Sequence, residues 1–243
     1  MSDFISKFKQ SVYYKQLFET DQEILLIYLG GSRCFNVTNE FSDYDINITT
    51  LNGGFKNMHD EYYLTYNGVK VHWFYRSLRY FFESPCTDLW TYSGILTLKG
   101  ISDDLIIYKN PNPYYNSILE QLIGISTDLL VPISYNIFEY NRSYLENILN
   151  SGDVLIRYYD KKAIYFLVLA SYFILKEPLD TELLKVLNLY RRTKSIPDPY
   201  KATILERLKY CDNYIKQFPL DTTKVIENLY EQFKANALIE GSD

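Results

Sequence analysis

The chain has 243 residues, of which 47% are hydrophobic and 23% charged, a globular composition that argues against a disordered or collagen-like protein. Lys and Arg number 25 against 30 Asp and Glu, so the net charge of −5 provides no general attraction to nucleic acid or to an anionic membrane. Three dispersed cysteines and two histidines argue against a structural zinc site and indicate reduced thiols.

The first predicted element is an amphipathic helix. Apolar residues recur at roughly helical spacing at positions 4, 8, 12 and 17, behind Ser2 and Asp3, which can cap a helix. Charged residues interrupt this apolar pattern, which argues against a secretory leader. The most apolar run, residues 163–175, is shorter than the ~20 residues that a membrane-spanning helix needs. We therefore expect a cytoplasmic protein with no membrane partner.

Two apolar strands are predicted next. Residues 23–29 form a short β-branched run that ends at Gly30 and Gly31, as expected of a buried strand entering a tight turn. Residues 43–50 alternate in polarity, so one face of this strand is apolar and the other polar. The apolar face carries Tyr44, Ile46 and Ile48, and the polar face carries Asp43, Asp45 and Asn47.

A β-hairpin is predicted around Asn67-Gly68. Both residues tolerate the positive φ of a type I′ turn, and strand-like sequences flank them at residues 61–66 and 69–75. Counting outward from the turn pairs Lys70 with Thr65.

The remaining pattern predicts an α+β half followed by a helical bundle. Residues 77–92 read as a helix and 104–108 as a strand, before the prolines at 111 and 113 break the pattern. We place a domain boundary there, between residues 1–110 and 111–243. Beyond it, helical periodicity predicts helices at residues 114–127, 137–149, 161–175, 181–190, 200–218 and 222–238.

The chemistry-bearing residues lie at the first strand end and on the second strand. Asp43 and Asp45, two residues apart, project from one face a few ångströms apart, which is unfavourable unless a cation neutralises them. Hard oxygen ligands of this kind suit Mg²⁺ or Mn²⁺, which also bind substrate phosphates. Gly31 allows close approach of a phosphate, and the Ser32 hydroxyl with neighbouring amides can hold phosphate oxygens. The sequence therefore predicts a metal and triphosphate site.

Gly-Gly-Ser at residues 30–32, a gap of ten residues, and Asp-x-Asp at 43–45 in an apolar strand resemble the signature of the DNA polymerase β-like nucleotidyltransferase superfamily. Arg33 after the serine and Ser42 before the first aspartate are similar to its small bacterial and phage branch of predicted nucleotidyltransferases, the RlaP/YcgL-like proteins. The resemblance implies a nucleotidyltransferase-type mixed sheet with flanking helices, followed by a C-terminal helical bundle.

The same resemblance implies an activity. A nucleoside monophosphate would move from an NTP to a hydroxyl-type acceptor, with release of pyrophosphate, by divalent-metal catalysis. Asp43 and Asp45 would hold Mg²⁺ or Mn²⁺, and Gly30, Gly31 and Ser32 would bind the NTP. The acceptor is a small molecule, a tRNA or a protein.

The sequence departs from the family at the third carboxylate. The expected strand contains no acidic residue, and His72 stands at the position that is usually acidic. A neutral imidazole ligand would favour Mn²⁺, or His72 could act as general base. Alternatively Glu61, on the same face by the hairpin count, could supply the missing charge. Arg33 could bind phosphate through a bidentate fork or cap the turn.

The departure leaves two other functions open. One is a catalytically degenerate nucleotide-binding or interaction module that has lost the third carboxylate. The other is a toxin or antitoxin-type transferase that acts on a protein or a tRNA.

Overall fold

A computed structural model describes residues 2–19, 23–38, 42–51, 56–57, 64–77, 102–117, 119–121, 123–124, 158–188, 196, 198–217, 224 and 231. The strands in these ranges are β1 (Ile24–Gly30), β2 (Tyr44–Thr50), β3 (Lys56–Asn57), β4 (Leu64–Tyr66), β5 (Val69–Ser77) and β6 (Ile106–Lys109). The longer helices are α1 (Ser2–Gln10), α2 (Val12–Leu17), α3 (Tyr158–Leu175), α4 (Thr181–Asn188) and α5 (Asp198–Gln217). Residues 113–117, 119–121 and 123–124 are also helical.

The six strands form one mixed sheet in the order β3-β5-β2-β1-β6, with β4 also paired to β5. β2 lies at its centre, parallel to β5 and antiparallel to β1. In the carboxyl-terminal half, α3 packs against α4 and α5. The predicted fold class, α+β with a mixed sheet, flanking helices and C-terminal helices, is confirmed.

The two faces of the sheet pack against different helices. On one face, β1, β2 and β5 bury Ile27, Ile46 and Trp73 in a core that includes Phe4 and Phe8 of α1. The other face contributes Leu26 and Tyr28 to a second core, formed largely by α3, α4 and α5. The alternation of strand side chains produces this division, with one irregularity in β1 that places both Leu25 and Leu26 in the second core.

The predicted hairpin is confirmed in its described part. Thr65 pairs with Lys70, and φ is 50° at Asn67 and 76° at Gly68, as a type I′ turn requires. β1 and β2 also lie within one residue of their predicted bounds. The last predicted strand begins later than expected, because residues 103–105 form a 3₁₀ turn before β6.

The prediction of a single helix at the amino terminus is wrong, because two helices, α1 and α2, lie there. The helix is interrupted at Ser11, which has an extended backbone and is the N-cap of α2. Its side chain accepts a hydrogen bond from the Tyr14 N–H. Phe4, Phe8 and Leu17 are buried as the helical pattern predicts, but Val12 is 59% exposed. The break turns Val12 away from the face that the continuous helix would have buried.

The carboxyl-terminal helices agree with the pattern where they are described. α3 is buried along residues 164–172, which confirms the buried core helix. α5 begins before its predicted start and carries Pro199 in its first turn, where the missing N–H costs nothing. The helix predicted over residues 77–92 lies outside the described residues except for Ser77, which ends β5 and is not helical. The helix predicted over 137–149 and most of that over 222–238 also lie outside the described residues, and the domain boundary at residue 110 stays a prediction. Within the described ranges, no helix is both long and apolar enough to cross a membrane.

Candidate functional site

Three adjacent inner strands, β1, β2 and β5, bring the predicted site residues together at one end of the sheet. In the pairing of β2 with its neighbours, Asp45 lies opposite Gly30 of β1 and opposite His72 of β5. Directly paired residues of neighbouring strands project to the same side, so Asp45 and His72 share a face. The sequence prediction that His72 faces the aspartates therefore agrees with the register.

The side chains of Asp43, Asp45 and His72 form a compact cluster. His72 Nδ1 lies 3.0 Å from Asp43 Oδ2 and 3.7 Å from Asp45 Oδ1. Each residue offers one donor atom, and these three atoms lie within 4.8 Å of one another. All three side chains are partly buried, so the cluster is open to solvent but largely enclosed. Close carboxylates in such a place need a positive partner, which a metal ion or an imidazolium can supply.

The donor set fits a divalent metal ion. Two carboxylates and an imidazole nitrogen that converge in this way are ligands that Mn²⁺ accepts and that partly satisfy Mg²⁺. A metal bound here requires His72 to be neutral, because an imidazolium has no free lone pair. Glu61, the alternative source of charge, lies outside the described residues.

Gly31 makes room for the Asp45 carboxylate. Its φ of +67° is unfavourable for residues with a Cβ, and a Cβ built there would lie 1.9 Å from Asp45 Oδ2. The sequence assigned this glycine to the approach of a phosphate. The structure shows that the close approach of Asp45 demands a glycine by itself.

The Gly31–Arg33 segment is a 3₁₀ turn, and the loop that follows it is held by the helical half of the chain. Ser32 O accepts a hydrogen bond of 3.0 Å from Val37 N, which closes the loop. Val37 and Phe35 are buried in the core of α3, α4 and α5. Asn188 Nδ2 of α4 donates a bond of 3.2 Å to Val37 O. No sequence motif predicts the bond between Asn188 and Val37, because these residues lie 151 positions apart along the chain.

Arg33 contacts the backbone beside the cluster. Its Nε donates to Asp43 O and its Nη2 to Ser42 O, each at 2.9 Å. The role in phosphate binding proposed from the sequence stays a prediction.

A buried polar pair, Asn47 and Arg76, continues the polar face of the sheet beyond the cluster. Arg76 is 2% exposed, and its Nη1 donates to Asn47 Oδ1. Asn47 Nδ2 in turn donates to Asp45 O at 3.3 Å. Sequence reasoning missed Arg76. It lies four residues after His72 on β5, so both side chains project to the same face of the strand.

Tyr165 of α3 is a second residue that the sequence did not single out. It is buried, and burial raises its pKa, with smaller contributions from Cys34 and Asp45. Burial and the nearby Asp104 likewise raise the pKa of the Cys34 thiol to about 12. Cys34 is therefore a protonated thiol at neutral pH and not a nucleophile.

No family model and no curated protein matches the sequence. Among solved structures, the chain is similar to one described as a nucleotidyltransferase-like protein from Exiguobacterium sibiricum 255-15, at 13% sequence identity and a TM-score of 0.33. The similarity covers 90% of this chain and 76% of the other. A likeness of this strength carries no argument about function, which depends on the geometry of the site.

Proposed function

We propose that this protein is a divalent-metal-dependent nucleotidyltransferase that moves a nucleoside monophosphate from an NTP to a hydroxyl-type acceptor and releases pyrophosphate. The observation that carries the proposal is the convergence of Asp43, Asp45 and His72 donor atoms within 4.8 Å, beside the Gly31 turn. The Gly-Gly-Ser and Asp-x-Asp motif, which resembles that of the DNA polymerase β-like nucleotidyltransferase superfamily, supports it.

Asp43 and Asp45 would hold the metal. When bound, a divalent ion neutralises charge on the triphosphate and lowers the pKa of the attacking hydroxyl. His72 presents Nδ1 to both carboxylates, at 3.0 and 3.7 Å, so this nitrogen is placed to join them as a ligand of the ion. A site with one nitrogen ligand favours Mn²⁺ over Mg²⁺.

The turn at residues 30–32 would bind the triphosphate. It follows directly from β1, and Gly30 lies opposite Asp45, so phosphates held there would lie beside the carboxylates. Backbone amides and the Ser32 hydroxyl are the groups available for phosphate oxygens. The anchoring of the loop through Val37 keeps the turn in place without a ligand.

The contact between His72 and Asp43 also favours a second candidate, a nucleotide-binding module without catalysis. A protonated His72 at 3.0 Å from Asp43 neutralises part of the carboxylate charge without any metal ion. Such a module would bind an NTP without a metal requirement and release no pyrophosphate.

Calorimetry with each of the four NTPs, with and without Mn²⁺ or Mg²⁺, tests the proposal, together with an assay of pyrophosphate release. The test variant is Asp43→Asn, Asp45→Asn. Its control is Glu182→Gln, Glu206→Gln, which changes the charge equally at exposed positions of α4 and α5. We expect metal-dependent binding and pyrophosphate release in the wild type and the control only. Metal-independent binding without pyrophosphate release, equal in all three proteins, would instead establish the non-catalytic module.

A further inference from the structure

The Arg33 side chain contacts the segment that carries Asp43 in two ways. Its guanidinium edge donates hydrogen bonds to the backbone, and its guanidinium carbon lies over the Tyr44 ring. We propose that Arg33 is a positioning residue, which fixes the backbone of Ser42 and Asp43 and so sets the place of the Asp43 carboxylate. This inference rests on the proposed function for its purpose, but not for its geometry.

Asp43 needs such a device because it precedes the sheet. β2 begins at Tyr44, whose pairing with Val71 opens the ladder to β5, and the ladder to β1 reaches Asp45. The backbone of Asp45 is thus set by two neighbouring strands, whereas Asp43 precedes the first paired residue of each ladder. The bonds from Arg33 to Asp43 O and Ser42 O, each 2.9 Å, act on this preceding segment.

These two bonds use one edge of the guanidinium. Nε and Nη2 present two N–H groups in a fixed, planar arrangement, which matches two successive carbonyl oxygens and which a lysine ammonium cannot reproduce. The same pair of groups would be needed for a bidentate grip on a phosphate through this edge. The chain's own carbonyls therefore occupy the edge that such a grip would use, and phosphate binding was one of the two roles that the sequence allowed for Arg33.

An aromatic stack holds the guanidinium plane. Arg33 Cζ lies 3.8 Å from the centroid of the Tyr44 ring, and the Phe4 ring stacks on Tyr44 with centroids 4.0 Å apart and an interplanar angle of 15°. Both neighbours are so near that they must lie on opposite faces of Tyr44. Phe4 of α1 is buried in the core between α1 and the sheet, so the stack ties Arg33 to that core.

Mn²⁺ affinity without nucleotide, measured by electron paramagnetic resonance, tests this role in Arg33→Lys, Tyr44→Leu and Tyr44→Phe. We expect about 10-fold weaker Mn²⁺ binding in the first two variants, the loss typical when a residue that orients a metal ligand is removed, and recovery in Tyr44→Phe, which keeps the ring. Arg207→Lys is the matched control, because Arg207 also stacks on a tyrosine, 4.2 Å from the Tyr172 ring, and pairs with Glu177. Its Mn²⁺ affinity should equal that of the wild type.

Hydrogen–deuterium exchange in metal-free protein supplies an independent readout. The amides of residues 43–45 should exchange faster in Arg33→Lys than in the wild type, while those of β6 stay unchanged. If the wild type bound no Mn²⁺, the proposed function would fail alone, and exchange would still decide the role of Arg33. Unchanged exchange overturns our inference, as does a lower melting temperature with unaltered Mn²⁺ affinity, or a loss of NTP affinity alone.

Discussion

Alternate residues of strand β2 lie on two faces with different roles, one in the core and one at the candidate site. On one face Ile46 and Ile48, at most 1% exposed, pack in the core that α1 covers. On the other face Asp45 joins the candidate site, and Asn47 bonds to the buried Arg76. A single strand therefore contributes both to the free energy of unfolding and to the candidate site, through residues that lie on opposite faces.

The comparison shows that register, more than composition, determines the site. The parallel strand β5 follows the same rule, with Val71 and Trp73 in the core and His72 beside the aspartates. A slip of one residue between the strands would exchange the two sets, placing His72 in the core and Trp73 at the site. Substitutions on the two faces should accordingly have separable effects on stability and on metal binding.

The largest expected effect is that of Asp45→Asn on activity. The change removes a carboxylate ligand without removing volume, so we expect kcat/KM to fall at least 10³-fold, on the order of 4 kcal/mol of transition-state stabilisation. The free energy of unfolding should change by less than about 1 kcal/mol, since the core face is untouched. Steady-state pyrophosphate release and urea denaturation measure the two quantities. Normal turnover in this variant would refute the assignment of the site.

Ile48→Ala should show the reverse pattern. Removing a fully buried branched side chain leaves a cavity, and we expect a loss of about 2–5 kcal/mol in the free energy of unfolding. Mn²⁺ affinity per folded molecule should stay at the wild-type value, because Ile48 faces away from Asp45. Ile48→Val, with a loss of about 1 kcal/mol, is the graded control. A large drop in Mn²⁺ affinity of the folded alanine variant would show that the faces are coupled.

Gly31→Ala tests the close approach on the site face. A positive φ costs an alanine about 1–2 kcal/mol, and the new Cβ would also displace the Asp45 carboxylate. Gly68→Ala is the matched control, since its φ is +76° and nothing lies within 4 Å of a Cβ built there. Urea denaturation should show similar backbone costs for both, whereas calorimetry should show weaker Mn²⁺ binding only for Gly31→Ala. Equal Mn²⁺ affinities would mean that Asp45 tolerates displacement.

Much of the candidate site could be predicted from the sequence because its signals are local. The alternation in β2 put Asp43 and Asp45 on the polar face, and the Asn67-Gly68 turn fixed the register that pairs Lys70 with Thr65. A glycine between a buried strand and a polar loop indicated a tight turn at Gly31. Each inference needed only a few consecutive residues and the period of a strand.

The features that escaped prediction depend on distant contacts. Nothing near Arg76 indicates that it is buried beside Asn47, and nothing near Asn188 indicates its bond to Val37. The parallel pairing of β2 with β5 likewise joins segments separated along the chain. For Gly31, the sequence predicts the tight turn but not the contact with Asp45.

Smaller effects, the first of them that of Ser11→Ala, concern the helices beside the core face. Ser11 Oγ accepts a bond of 3.2 Å from Tyr14 N and donates one of 2.6 Å to Phe8 O, so its loss should reduce the free energy of unfolding by about 1 kcal/mol. Urea denaturation of Ser11→Ala and Ser11→Asn measures it, and asparagine, also a good cap, should lose less.

The sign of this change is more informative than its size. In one continuous helix, as the apolar spacing predicted, Ser11 would be an interior residue and alanine would stabilise the protein, because alanine has the higher helix propensity. With a break at Ser11, the same substitution removes a cap and destabilises it. Val12→Ala separates the two arrangements again, since Val12 is 59% exposed beyond the break but would be buried in a continuous helix. A change within about 0.5 kcal/mol for Val12→Ala, together with a loss for Ser11→Ala, is expected only if two helices cover the core face.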